Sequence, residues 1–191
     1  SVDGIHELLT HELDKGVSPD GEVPFTVIKD IGLDIDADGL EEAIIIYYYM
    51  NIPAETLYTS IDMYDYDPEK ESLMHYYQVL YNISATAVTI ADLNNDNRLE
   101  LVIGGYKVDF TKATMTDVLY VIDATTLAPI SEYEWPNGIL LLEAAKADEL
   151  IAGNTEWSAD SQGNYRPKVS QIDLLSYRKG DFVVVPVSYT H

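Results

Sequence analysis

The chain has 191 residues, 33 of them acidic and 11 basic, for a formal net charge of −22, and it contains no cysteine. No basic stripe exists to displace phosphate counterions, which argues against nucleic acid and anionic membrane surfaces as partners. The lack of thiols excludes disulfides, thiol catalysis and cysteine-based metal sites. An apolar content of 47% is enough for a buried core, and no run approaches the roughly eighteen apolar residues that membrane insertion requires. Ser1-Val2-Asp3-Gly4 opens no basic and apolar leader, so a processed or trimmed start is expected.

In chain order, residues 1–22 read as a separate N-terminal segment. Val2, Ile5, Leu8, Leu9 and Leu13 keep helical spacing, and Gly16 with Pro19-Asp20-Gly21 stops the run, which predicts one amphipathic helix over residues 3–15. His6 and His11 sit one residue further apart than the zinc-protease pattern requires. At that spacing the rings lie about 140° apart around the helix, so two surface histidines are expected rather than a shared zinc.

The first acidic loop follows, Asp34-Ile35-Asp36-Ala37-Asp38-Gly39-Leu40-Glu41-Glu42, running straight into Ala43-Ile44-Ile45. A second, Asp92-Leu93-Asn94-Asn95-Asp96-Asn97-Arg98-Leu99-Glu100, runs into Leu101-Val102-Ile103. Both place oxygen-bearing side chains at loop positions 1, 3, 5 and 9. Alternate oxygens on a curled loop can converge on a hard cation that wants six to eight oxygen ligands at roughly 2.3–2.6 Å, which is calcium's preference. Position 6 must tolerate positive φ, and Gly39 and Asn97 are the residues best able to do so. Position 7 contributes a backbone carbonyl in such loops, the role expected of Leu40 and Arg98. The predicted metal ligands are therefore Asp34, Asp36, Asp38, Leu40 and Glu42 in one site and Asp92, Asn94, Asp96, Arg98 and Glu100 in the other. An EF-hand is disfavoured. Its bidentate position-12 glutamate is Ile45 or Ile103 here, and strand patterns rather than helices follow the loops. Asp/Asn/Gly clusters also make ordinary turns; two with matching spacing and matching strands favour metal.

The segments Asp34-x-Asp36-x-Asp38-Gly39-x-x-Glu42 and Asp92-x-Asn94-x-Asp96-Asn97-x-x-Glu100-Leu101-Val102-Ile103-Gly104-Gly105 resemble the FG-GAP/VCBS repeats. These are the calcium-loop blades of integrin alpha-subunit β-propellers and of many bacterial surface proteins. Glu42, Glu100 and Asn97 depart conservatively from that family's usual Asp at position 9 and Gly at position 6. The resemblance implies an all-β fold, a partial β-propeller of about three blades. It also implies two Ca2+ sites and an extracellular or cell-surface binding or adhesion role without catalysis. The partner would be a protein or glycan. Alternatives are an ancillary part of a secreted carbohydrate-active enzyme and a structural cell-envelope repeat.

Further repeat signals divide the chain after the helix into approximately 23–82, 83–138 and 139–191. Ile61-Asp62, Ile122-Asp123 and Ile172-Asp173 recur on second strands, and Glu149-Leu150-Ile151-Ala152-Gly153 parallels Glu100–Gly104. Where the third unit should have a loop it reads Ala144-Ala145-Lys146-Ala147-Asp148, too few oxygens for an ion. Three blades leave closure to flanking sequence, to self-association or to an open arc.

The chain has fifteen tyrosines, with clusters at Tyr47-Tyr48-Tyr49, Tyr64/Tyr66 and Tyr76-Tyr77. Their readings are packing between blades or ligand contact. Asn82-Ile83-Ser84 is a glycosylation sequon, a pattern too short to carry weight. His75 on an outer strand and the terminal His191 join no catalytic constellation, and Ile103-Gly104-Gly105 precedes no helix, so no phosphate loop is expected. Asp30, Asp34, Asp36, Asp38, Glu41 and Glu42 concentrate six negative charges around the first loop, a repulsion that bound calcium would relieve.

Overall fold

The computed structural model describes residues 25–185 except 52, 136, 137, 147, 160 and 164. The helix expected over residues 3–15, with His6, His11 and also His191, lies outside the described residues. Among the described residues there is no helix, and none is long and apolar enough to cross a membrane. What is present is all-β: three open, antiparallel, four-stranded sheets, each a meander in which neighbours in sequence are neighbours in space.

The first sheet is built from β1 (Phe25–Leu33), β2 (Glu42–Asn51), β3 (Thr56–Asp67) and β4 (Ser72–Tyr81) in that order. Its central strand β2 is the Ala-Ile-Ile-Ile-Tyr run after the first acidic loop. Ile44, Ile45 and Ile46 are fully buried there, the β-branched filling that a central strand favours. β3 alternates: Leu57, Thr59, Ile61 and Met63 are buried on one face, while Tyr58, Asp62 and Tyr64 are half-buried on the other. The Thr59 hydroxyl donates to the Ile83 carbonyl at 2.9 Å and accepts from the Ala85 amide at 3.1 Å, so this buried polar group is satisfied. These residues and the 108–114 turn form one compact unit.

The second compact unit contains most of the second sheet, β5 (Ile83–Ala91), β6 (Glu100–Asp109), β7 (Thr114–Asp123) and β8 (Pro129–Glu134). It also contains the third sheet, β9 (Ile139–Lys146), β10 (Glu149–Ala159), β11 (Tyr165–Arg178) and β12 (Asp181–Val185). Leu93, Val102, Leu119 and Val121 share a core with Ile139, Leu142, Leu150 and Leu175. Close approach is possible because Gly104 carries no side chain: a Cβ there would stand 3.0 Å from Ile139 Cβ and Cγ2 and 3.3 Å from Leu142 Cδ1. Thr86 Oγ1 bridges the same place, donating toward the carbonyls of Gly104 and Ile139.

Hairpin turns between strands are capped by aspartates. Asp67 Oδ1 accepts from the amides of Glu69 and Lys70, both at 3.0 Å, and Asp123 Oδ1 from those of Thr125 and Thr126 at 2.9 and 2.8 Å.

Candidate metal centre

Both acidic loops connect the first strand of a sheet to the second, residues 34–41 between β1 and β2 and residues 92–99 between β5 and β6. They are curled by the same four hydrogen bonds. The position-6 amide donates to the position-1 carboxylate: Gly39 N to Asp34 Oδ2 at 3.1 Å, Asn97 N to Asp92 Oδ2 at 2.9 Å. The position-5 amide donates to position 3, Asp38 N to Asp36 Oδ1 at 3.1 Å and Asp96 N to Asn94 Oδ1 at 3.0 Å. The position-7 amide donates to position 5, Leu40 N to Asp38 Oδ1 at 2.7 Å and Arg98 N to Asp96 Oδ1 at 2.9 Å. The position-2 amide donates to the position-9 glutamate, Ile35 N to Glu42 Oε2 at 2.6 Å and Leu93 N to Glu100 Oε2 at 2.8 Å. Two segments that differ at positions 2, 3, 4, 6, 7 and 8 thus share one hydrogen-bond pattern.

Gly39 and Asn97 adopt positive φ, 92° and 65°, as position 6 was expected to. Position 4 does so as well: Ala37 at 63° and Asn95 at 60°. Asn tolerates this conformation, and Ala does not without strain.

In the first loop Asp34, Asp36, Asp38 and Glu42 each offer one carboxylate oxygen, and these oxygens lie within 4.8 Å of one another. Glu42, opening β2, is 3% exposed, whereas Asp36 and Asp38 face solvent. Asp34 Oδ1 and Glu42 Oε1 are buried with no hydrogen-bond donor. Oxygens so placed are costly unless something positive meets them. Burial pushes the Glu42 carboxyl above its usual range, against the Ile35 amide that lowers it, and the charges of Asp36, Asp65 and Asp38 raise it further. Asp65, on β3, is likewise raised by burial and then by Asp36 and Asp38. It is a further acid near the loop that the sequence pattern did not indicate, since it lies on a strand outside the motif.

The second loop meets its charge differently. The Arg98 guanidinium lies on Asp96 Oδ2, with Nε at 3.3 Å and Nη2 at 3.2 Å. Glu100, 4% exposed, has both oxygens engaged, Oε2 by the Leu93 amide and Oε1 by Asn94 Nδ2 at 3.2 Å. Its carboxyl is raised by burial, opposed by the Leu93 amide, and raised again by Asp96, Asp92 and Asp123. The predicted roles of Leu40 and Arg98 involve their carbonyls. Their amides serve the loop, and the Arg98 side chain adds an ion pair. In the third sheet β9 passes to β10 through residues 147 and 148 alone, so no ligand loop fits there.

The donor set of the first loop suits a hard divalent ion: oxygens only, no imidazole or thiolate, and two buried oxygens with unfilled lone pairs. No protein-family model matches the chain, and no curated protein matches it either.

Proposed function

We propose that the chain is a calcium-binding module of the FG-GAP/VCBS type. In this reading its three sheets are β-propeller blades, and it serves extracellular or cell-surface binding or adhesion rather than catalysis. The observation that carries the reading is the convergence of Asp34, Asp36, Asp38 and Glu42 with two buried oxygens left without donors. Asp34, Asp36, Asp38, Glu42 and the Leu40 carbonyl would hold one ion. Asp92, Asn94, Asp96, Glu100 and the Arg98 carbonyl would hold a second once Arg98 swings away. The common hydrogen-bond pattern of the loops supports treating them as one kind of site.

Calcium would supply charge neutralisation and cross-link the first two strands of the first and second sheets. A ligand that binds the native state alone adds RT ln(1 + [L]/Kd), about 2.7 kcal/mol at a hundredfold excess over Kd. That role requires a calcium-rich setting such as the cell exterior. The test is a calcium titration followed by melting temperature on wild type, Asp36→Ala and Asp96→Ala. Asp36→Ala should remove most of the rise and Asp96→Ala a smaller part. A rise that survives the double substitution refutes both sites.

A further inference from the structure

The face of the first sheet opposite Ile44, Ile46 and Ile61 carries a trough of about 430 Å³, within the ~300–1,000 Å³ typical of small-ligand sites. Its shape follows from register. Tyr47, Ser60 and Val79 form one cross-strand row; Tyr49, Tyr58 and Tyr81 flank it on one side, and Asp62 and Tyr77, in register with the buried Ile45, on the other. Ser60 and Val79 are short and make a floor. The flanking rows stand four residues apart along the strands, about 13 Å at roughly 3.3 Å per residue, and make the walls.

The walls are held in place. Tyr58 stacks on Tyr49 with centroids 5.1 Å apart, and His75 stacks on Tyr64 at 4.5 Å and 7° between planes. Tyr77 and Tyr81 are 67% and 74% exposed, so their rings are open to a ligand. Asp62 marks the polar end: its Oδ1 accepts from Ser60 Oγ at 2.6 Å, and its Oδ2 lies 3.4 Å from His75 Nε2.

We infer that this trough binds a neutral, pyranose-containing saccharide between its tyrosine walls, with Asp62, Ser60 and His75 reading ring hydroxyls. A pyranose is a disc with two apolar C–H faces and a rim of hydroxyls that both donate and accept. Tyrosine rings match the faces, and a carboxylate beside a hydroxyl and an imidazole matches the rim. No Lys or Arg is among the described lining residues, which disfavours phosphates and acidic sugars. An organic ammonium also suits tyrosines beside a carboxylate. Here, however, both Asp62 oxygens already face Ser60 Oγ and His75 Nε2, so the carboxylate is not an unmatched charge awaiting a cation. The inference rests on reading the chain as a binding module, and it names the ligand class of that module.

The test titrates the intact chain, with calcium present, against neutral hexaoses of gluco, manno, galacto and xylo configuration, with tetramethylammonium chloride as the charge control. At least one hexaose should bind saturably. Tyr77→Ala and Tyr81→Ala should each weaken it about tenfold, the loss expected when one ring contact is removed. Tyr77→Phe and Tyr81→Phe, which keep the rings, should bind within a few-fold of wild type, and melting temperatures should not move. Binding by no hexaose, binding undiminished in both alanine variants, or binding of tetramethylammonium alone overturns the inference. Because calcium is scored separately by melting, a saccharide failure beside an intact calcium response leaves the metal reading standing, and the converse outcome leaves the trough standing.

Discussion

Glu42 is where the chain's charge problem is sharpest. A carboxyl 3% exposed, one oxygen on the Ile35 amide and the other without a donor, sits among Asp34, Asp36 and Asp38. Its folded-state carboxyl is raised, first by burial, as is that of Glu100. A raised acid binds protons more readily folded than unfolded. Its contribution to stability is therefore full below the ordinary glutamate range and disappears as pH rises through the elevated value. In EDTA the melting temperature should climb as pH is lowered from about 7 to about 5, and calcium, which needs the ionised form, should flatten or reverse that slope. Glu42→Gln separates this from general relief of the −22 charge. The amide keeps an acceptor for Ile35 and adds a donor toward the aspartates. The variant should melt higher than wild type in EDTA by ~2–4 °C, about 1 kcal/mol for a chain of this size, with a shallower pH slope, and should lose the response of the first loop to calcium. A variant that melts lower in EDTA contradicts the assignment of Glu42 as an uncompensated charge. At the second loop, Arg98→Gln removes the cation lying on Asp96 and should tighten calcium there several-fold in a titration by calorimetry. The guanidinium is exposed and its partner solvated, so a large stability change is not expected.

At the level of strands, the legible features were the local ones. Glu42, Glu100 and Glu149 each open a second strand at the start of an apolar run, and Ile61-Asp62, Ile122-Asp123 and Ile172-Asp173 each lie on the strand that follows it. Loop curl was legible at Gly39 and Asn97 because those residue types announce positive φ. It was not legible at Ala37, where the hydrogen bonds of the whole loop hold an unfavoured residue in place. Asp65 and the tyrosine trough were hidden for a different reason: both arise from register across three strands, which no single segment encodes. The convergence of the first loop's carboxylates was legible from their spacing; the internal pairings of the second, Asn94 Nδ2 on Glu100 and Arg98 on Asp96, were not, because spacing does not say which side chains pair. Gly104 was legible as part of the repeat motif and as making no phosphate loop, but not as what it does in the fold, which is to let β6 pack closely on β9. Gly104→Ala should cost about 1–3 kcal/mol, because the added methyl meets the branched side chain of Ile139 inside a shared core. Urea unfolding followed by circular dichroism measures that loss. A neutral substitution would mean that β9 can retreat.

For the molecule as a whole, the proposed reading makes three open meanders with two acidic loops a protein whose stability is coupled to an ion. The acidic excess is a liability without a divalent counter-charge and unremarkable with one. Among the described residues the third sheet carries no such loop, and it shares its core with the second through Val102, Leu119, Leu150 and Leu175. The measurement that tests this most directly is the melting temperature of the intact wild-type chain in millimolar calcium and in EDTA at one pH and ionic strength. The account predicts a calcium-specific rise of ~5–10 °C, the shift that about 2.7 kcal/mol gives in a domain of this length. Equal melting temperatures in the two buffers would contradict it.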